Sequence, residues 1–69
     1  MKRISKITIL GNGSFGTALA HAASFNPHNR VVIYCRNIDN ANHINEKRRN
    51  PKFFTTIELN ANVSATSNF

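Results

Sequence analysis

Three short apolar runs along the chain predict β-strands. Residues 4–10 and 31–35 are rich in β-branched side chains, and the first run ends at a glycine, as a short buried strand does. Residues 63–67 form a shorter run of the same kind and are the third predicted strand. The longest apolar stretch is about five residues, far below the roughly 20 that cross a bilayer, so no membrane span is expected.

The segments between these runs have a helical pattern. From residue 14 to about residue 25, apolar side chains recur every three or four positions and form one apolar face, of the kind that packs on a core. That face consists of Phe15, Ala18, Leu19, Ala22 and Phe25. Pro27 then breaks the helix. A second helix is predicted from a cap at Asn37 or Asp39 through about residue 49, where an Asn-Pro pair ends it.

The resulting order is β-α-β-α-β within one domain, residues 1–69. A strand-helix-strand unit of this kind pairs its strands in parallel through a right-handed crossover. The predicted fold class is therefore α/β, the first half of a Rossmann-type parallel sheet, incomplete because the second half is not present. The first strand of such a sheet is normally central, so its free edge invites self-association.

The charge balance is strongly basic. Nine Lys and Arg residues stand against three acids, a formal net charge of +6. Such a balance attracts phosphates without sequence preference, so a non-catalytic nucleotide- or nucleic-acid-binding module is kept as an alternative. The basic residues 47–52 are interpreted as the solvated end of the second helix, where they complement its dipole. Because Cys35 is the sole cysteine and no secretory signal is recognised, a reducing, cytoplasmic setting is expected.

A glycine motif lies between the first strand and the first helix. Gly11 is expected to turn the chain out of the strand, Gly13 to let the backbone approach a pyrophosphate, and Gly16 to let the helix pack closely on the sheet. The free N–H groups of the helix N-terminus would face that anion, and the Ser14 hydroxyl would add a donor. The order strand, motif, helix favours a dinucleotide site over a glycine-rich turn without ligand. The predicted cofactor-binding residues here are Gly11, Asn12, Gly13, Ser14, Phe15 and Gly16.

Two further observations narrow the chemistry. Nucleoside-triphosphatase loops share the G-x-x-x-x-G spacing, but Thr17 and Ala18 stand where they require Lys and then Ser or Thr, so that class is excluded. Arg36 follows the second strand, twenty residues after Gly16, where an acid would favour NAD. A guanidinium there can pair with a 2′-phosphate, so the expected cofactor is NADP or NAD, with NADP favoured. The alternative is a solvated arginine in a loop.

Other side chains suggest no further chemistry. The three histidines share no metal-ligand spacing with Cys35, and the three carboxylates form no acid/base pair. No metal site and no catalytic residue are therefore predicted for this chain.

Residues 6–20 resemble the opening of the bacterial-type NAD(P)-dependent glycerol-3-phosphate dehydrogenases. Their Gly-x-Gly-Ser-aromatic-Gly-Thr-Ala-Leu-Ala pattern is far more restrictive than the bare glycine motif, and the likeness continues through residues 31–36 and 49–54 towards residue 67. It implies the N-terminal, cofactor-binding part of an enzyme that interconverts sn-glycerol 3-phosphate and dihydroxyacetone phosphate for phospholipid synthesis. By position, the implied cofactor contacts fall chiefly on Ser14, Phe15 and Arg36. The same half-sheet of another NAD(P) dehydrogenase is the remaining alternative within this fold.

The chain departs from the family pattern outside the glycine motif. Thr55-Thr56 stands where the family has Pro-Gly, Asn60 and Asn68 stand where Pro and Asp flank the third strand, and the turn at residues 26–29 differs. The conformation of residues 55–62 is therefore left open. In the family the catalytic lysines and the substrate-phosphate site lie downstream. The 69-residue chain is thus expected to bind the dinucleotide without catalysing hydride transfer, the phosphorylated substrate requiring a full-length form.

Overall fold

The computed structural model describes residues 5–68. Its elements follow the predicted order: β1 Ser5–Leu10, α1 Ser14–Ser24, β2 Asn29–Tyr34, α2 Ile38–Lys47 and β3 Val63–Thr66. β1 pairs with β2 and β2 pairs with β3, both in parallel, so the strand order is β1-β2-β3. The predicted α/β fold with half of a Rossmann-type sheet is confirmed.

The element bounds differ from the predicted ones where turn hydrogen bonds decide them. β2 begins two residues early, at Asn29, because β1 pairs with it from Ser5 and Asn29 onwards, and the Ser5 N–H donates to the His28 carbonyl at 3.0 Å. α2 is capped by Asn37, whose Oδ1 accepts from the Asp39 N–H at 2.7 Å. The second helix therefore starts at the first of the two predicted caps.

α2 ends two residues earlier than predicted, at Lys47, because Arg48 takes a left-handed conformation with φ +62°. Arg48 is half-buried, and its guanidinium donates to the Asn60 and Val63 carbonyls, both at 2.5 Å. The interpretation of residues 47–52 as a solvated basic end is thus wrong for Arg48, which joins the end of α2 to the start of β3.

Both helices cover the same face of the sheet. Side chains two residues apart on a strand share a face, and Val31 and Ile33 of β2 are buried together with Val63 and Ala65 of β3. The rest of the core is contributed by the helices and loops: Ala20, Cys35, Ala41, Ile44 and Leu59. Neither helix between residues 5 and 68 has the length and apolarity needed to span a bilayer.

The apolar face predicted for α1 is not the face that packs on the sheet, so this prediction is wrong. Phe15, Leu19 and Phe25 are 76%, 44% and 68% exposed, whereas Thr17, Ala20 and Ser24 are buried. The physical reason is the closeness of the helix to the sheet, which leaves room only for small side chains at the contact. Phe15 and Leu19 instead border a depression beside β1, and Phe25 lines a cavity together with Phe54 and Ile57.

The two edges of the sheet differ. At the β3 edge the Asn45 side chain makes the two hydrogen bonds that a neighbouring strand would make to Ala65. Its amide donates to the Ala65 carbonyl and its Oδ1 accepts from the Ala65 N–H, each at 2.8 Å. At the other edge, β1 pairs only with β2 among the described residues. The β1 edge is therefore the one open to a further strand.

Candidate functional site

The glycine motif lies where β1 leaves the sheet at its carboxyl end. The Gly11 N–H donates to the Tyr34 carbonyl at 2.8 Å and closes the β1–β2 ladder, and Gly11 then takes a φ of +94° that disfavours any side chain. The turn predicted at Gly11 is confirmed.

Gly16 brings α1 against this turn. A Cβ at Gly16 would stand 2.6 Å from the Gly11 carbonyl oxygen and 3.2 Å from Cγ2 of Ile9. At Gly13, by contrast, a Cβ would meet nothing within 4 Å. The predicted close packing at Gly16 is confirmed, and the backbone at Gly13 borders open space.

Among residues 5–68, no side chain caps the N-terminus of α1. Gly13 is its N-cap and makes no side-chain hydrogen bond, and the first turn contains no acidic residue. The earliest helical hydrogen bond runs from the Thr17 N–H to the Gly13 carbonyl at 2.9 Å. In α2, the corresponding donor is satisfied by Asn37. The first N–H groups of α1 thus offer a site for an external anion, favoured by the helix dipole.

The remaining predicted residues lie around two depressions that meet at Leu10 and Gly11. The first, of about 590 Å³, is bordered by Gly13, Ser14, Phe15, Gly16 and the edge of β1. The second, of about 300 Å³, is lined by Leu10, Gly11, Tyr34 and Arg36. The structure therefore brings the exposed Arg36 to the same end of the sheet as the glycine motif.

Asn12 differs from its neighbours in the motif because it faces inwards. Its carbonyl accepts a hydrogen bond from the Thr17 hydroxyl at 3.2 Å and one from the Asn50 amide at 2.8 Å. Its own Nδ2 is buried and has no hydrogen-bond partner within residues 5–68. Burying a donor without a hydrogen-bond partner costs about 1–3 kcal/mol of folding free energy, so an acceptor from outside the described residues would stabilise this atom.

Thr17 and Asn50 are residues of this site that the sequence interpretation missed. Thr17 was expected only to exclude a triphosphatase loop, and Asn50 only to end a helix, yet both are buried against the Asn12 carbonyl. A buried polar residue next to a proline has no periodicity of its own. The only sequence signal was their place inside the family-like stretches.

A third cavity lies on the far flank of α1. It has a volume of about 250 Å³ and is bordered largely by apolar side chains, among them Ala22, Phe25, Phe54 and Ile57. None of the predicted cofactor residues lines it. Its chemistry suits an apolar side chain rather than a phosphate.

Among the residues that line the two depressions, Arg36 carries the charge. Burial raises the pKa of the Cys35 thiol, which keeps this side chain neutral in the core directly before Arg36. Within residues 5–68, no group of three or more His, Cys, Asp or Glu side chains is arranged to hold a metal ion. The charge that can act on a ligand here comes from Arg36 and from the helix N-terminus.

Comparison with known proteins agrees with this geometry. Residues 6–69 match the sequence model of a family described as NAD-dependent glycerol-3-phosphate dehydrogenase N-terminus. Among curated proteins, the chain is similar to glycerol-3-phosphate dehydrogenases, NAD(P)+, of Staphylococcus saprophyticus (44% identity over 91% of the chain and 19% of the relative) and of Rickettsia bellii (40% over 99% and 21%). It thus spans about a fifth of the length of the relatives it matches. The chain belongs to the NAD-dependent glycerol-3-phosphate dehydrogenase N-terminal family.

Proposed function

We propose that this chain binds a nicotinamide dinucleotide, with the pyrophosphate over the glycine motif. The observation that carries the proposal is the contrast between two glycines. Gly16 is locked against Gly11, which holds α1 in place, while Gly13 borders open space at an uncapped helix N-terminus. The residues present fit a doubly negative group, because the helix N-terminus offers backbone N–H donors and a favourable dipole, and no described side chain lies within 4 Å of a Cβ placed at Gly13.

Each residue of the proposed site has its own role in binding. Gly11, Gly13 and Gly16 shape the turn and admit the phosphates, and Ser14 adds a hydroxyl in the first helical turn. Phe15 covers the site from its exposed position on the β1 side. When bound, the dinucleotide supplies the hydride chemistry; the chain's own residues bind and orient it.

Arg36 is the proposed determinant of NADP binding. It is exposed and shares a depression with Gly11, at the carboxyl ends of β1 and β2 where adenosine lies in this class of sheet. Its guanidinium would pair with a 2′-phosphate through charge-assisted hydrogen bonds, which are worth about 1.5–3 kcal/mol.

The experiment compares NADPH and NADH binding by calorimetry. Arg36→Ala is expected to weaken the binding affinity for NADPH by roughly tenfold or more, while the affinity for NADH changes by less than about threefold. Arg30→Ala is the matched control, because Arg30 is also exposed on β2 but lies near its opposite end. Equal losses in the two variants would show that only overall charge matters and would remove the assignment.

In a longer protein we propose the oxidoreductase activity that the relatives' names carry, the interconversion of sn-glycerol 3-phosphate and dihydroxyacetone phosphate in the cytoplasm. The isolated 69-residue chain is proposed to lack turnover. Sustained, NADPH-dependent consumption of dihydroxyacetone phosphate by the purified chain would contradict this.

We also propose that isolated copies associate through the β1 edge. The β3 edge is covered by Asn45, whereas the β1 edge is open among the described residues and is flanked by exposed Leu10, Phe15 and Leu19. Open edges of this kind pair with other strands. Sedimentation at increasing protein concentration tests it, and a strictly monomeric chain at all concentrations would refute it.

A further inference from the structure

The Asn50 side chain makes four hydrogen bonds beside the glycine motif. It lies just after α2, is 1% exposed and ranks among the largest fully buried side chains of the described residues. Its amide donates to the Asn12 carbonyl at 2.8 Å and to Oγ1 of Thr17 at 2.7 Å. Its Oδ1 accepts from the N–H groups of Lys52 at 2.8 Å and Phe53 at 3.2 Å. Both donor hydrogens and both acceptor positions of the amide are therefore used.

The donated bond to Asn12 fixes a peptide plane inside the glycine motif. In a planar trans peptide the C=O and N–H groups point in opposite directions. Because the Asn12 carbonyl points at Asn50, the N–H of Gly13 points away from it. The Cα of Gly13, which follows this peptide, borders open space at the start of α1. Asn50 thus determines which way the Gly13 donor faces.

The accepted bonds fix a second segment. Oδ1 of Asn50 holds the two N–H groups that follow Pro51, a local turn in which an asparagine side chain substitutes for a backbone acceptor. This turn carries the exposed Phe53 and leads to Phe54, which has a φ of +55°. One side chain therefore joins the glycine motif to residues 51–54, and Asn50 itself lies 38 positions after Asn12 along the chain.

We propose that Asn50 is a positioning residue for the pyrophosphate, which orients the Asn12–Gly13 peptide and links it to residues 51–54. The inference rests on the proposed dinucleotide binding. A phosphate that accepts from the Gly13 N–H polarises this peptide and strengthens the bond between the Asn12 carbonyl and the Asn50 amide, since hydrogen bonds in a chain reinforce one another. Asn50 touches no ligand itself and acts through Asn12.

The test follows amide signals by NMR in the isotope-labelled full chain as NADPH is added. In the wild-type chain, the Gly13 N–H and the Asn50 side-chain NH₂ signals are expected to shift along one binding curve. Asn50→Ala is expected to weaken the binding affinity for NADPH by about tenfold or more, which is the effect of losing one charge-assisted hydrogen bond. The matched control is Asn62→Ala, because the Asn62 amide also pins backbone carbonyls, those of Ser24, Asn26 and Asn29, away from the motif. This control is expected to lose stability but to change affinity by less than about threefold.

The outcomes separate this inference from the proposed function. A folded Asn50→Ala chain that binds NADPH within threefold of wild type would overturn the inference and leave dinucleotide binding intact. If Asn50→Ala does not fold, the wild-type titration decides: an Asn50 NH₂ signal that stays fixed while Gly13 shifts also overturns it. If Gly13 itself does not shift in the wild-type chain, the proposed function fails, and this inference fails with it.

Discussion

Replacing Gly16 by alanine should destabilise the chain because the new methyl group has no room. The Cβ would stand 2.6 Å from the Gly11 carbonyl oxygen. Restoring an ordinary contact of at least 3.4 Å requires a shift of roughly 0.8 Å or more between α1 and the turn. Both are backbone, so no flexible side chain can move aside. Overpacking of this kind costs about 1–3 kcal/mol, and a rigid neighbour favours the upper part of that range.

A smaller opposing effect reduces this cost. Gly16 is a helical residue, and alanine is favoured there over glycine by about 0.8–1 kcal/mol. The expected net loss is therefore about 1–2 kcal/mol in the free energy of unfolding. For a domain of this size the loss lowers Tm by on the order of 10 °C. Urea unfolding followed by far-UV circular dichroism measures the difference directly.

Gly13→Ala is the matched control for this substitution. Its Cβ would meet nothing within 4 Å, and its φ of −68° and ψ of −179° suit alanine. Restriction of the unfolded chain favours alanine by about 0.4–1 kcal/mol, and the poorer helix cap offsets a similar amount. Gly13→Ala should thus be about as stable as wild type. If Gly16→Ala were equally stable, the close contact between α1 and the Gly11 turn would be refuted.

Two further predictions concern the edge and the core. The Ser5 and Gly11 N–H groups point at β2, so by alternation the Thr8 N–H points at the open edge. Thr8→Pro should therefore shift sedimentation towards monomer without breaking the β1–β2 ladder, and unchanged association would contradict the edge proposal. The raised pKa of Cys35 means that the unfolded thiol ionises first. The contribution of Cys35 to the free energy of unfolding should therefore be fully present below about pH 8.5 and be lost above it. The free energy should fall more steeply with pH than in Cys35→Ala, and parallel pH profiles of urea unfolding would refute this.

The sequence predicted the parts of the molecule that depend on local pattern. Order and type of all five elements follow from apolar runs, helical spacing and breakers such as Pro27, and the turn at Gly11 follows from the motif itself. These features are decided within a few residues of the chain. The same holds for the placement of Arg36 at the end of β2.

What the sequence could not predict depends on contacts between distant residues. Helical spacing identified an apolar face on α1 but not its orientation, which the close approach at Gly16 decides in favour of Ala20 and Ser24. The link from Asn50 to Asn12 spans 38 positions, and the Arg48 contact with Val63 spans 15. Such hydrogen bonds leave no periodic signal, because only the folded chain brings the partners together.

The most direct test of the central claim is the affinity of the Gly13→Ala chain for NADPH, measured by calorimetry beside wild type. Because this variant should keep the fold, a change in affinity reports on the site alone. If the pyrophosphate lies over the glycine motif, the added methyl group occupies its path and NADPH binding should weaken by at least about tenfold. Equal affinities for NADPH in the two folded chains would contradict the account.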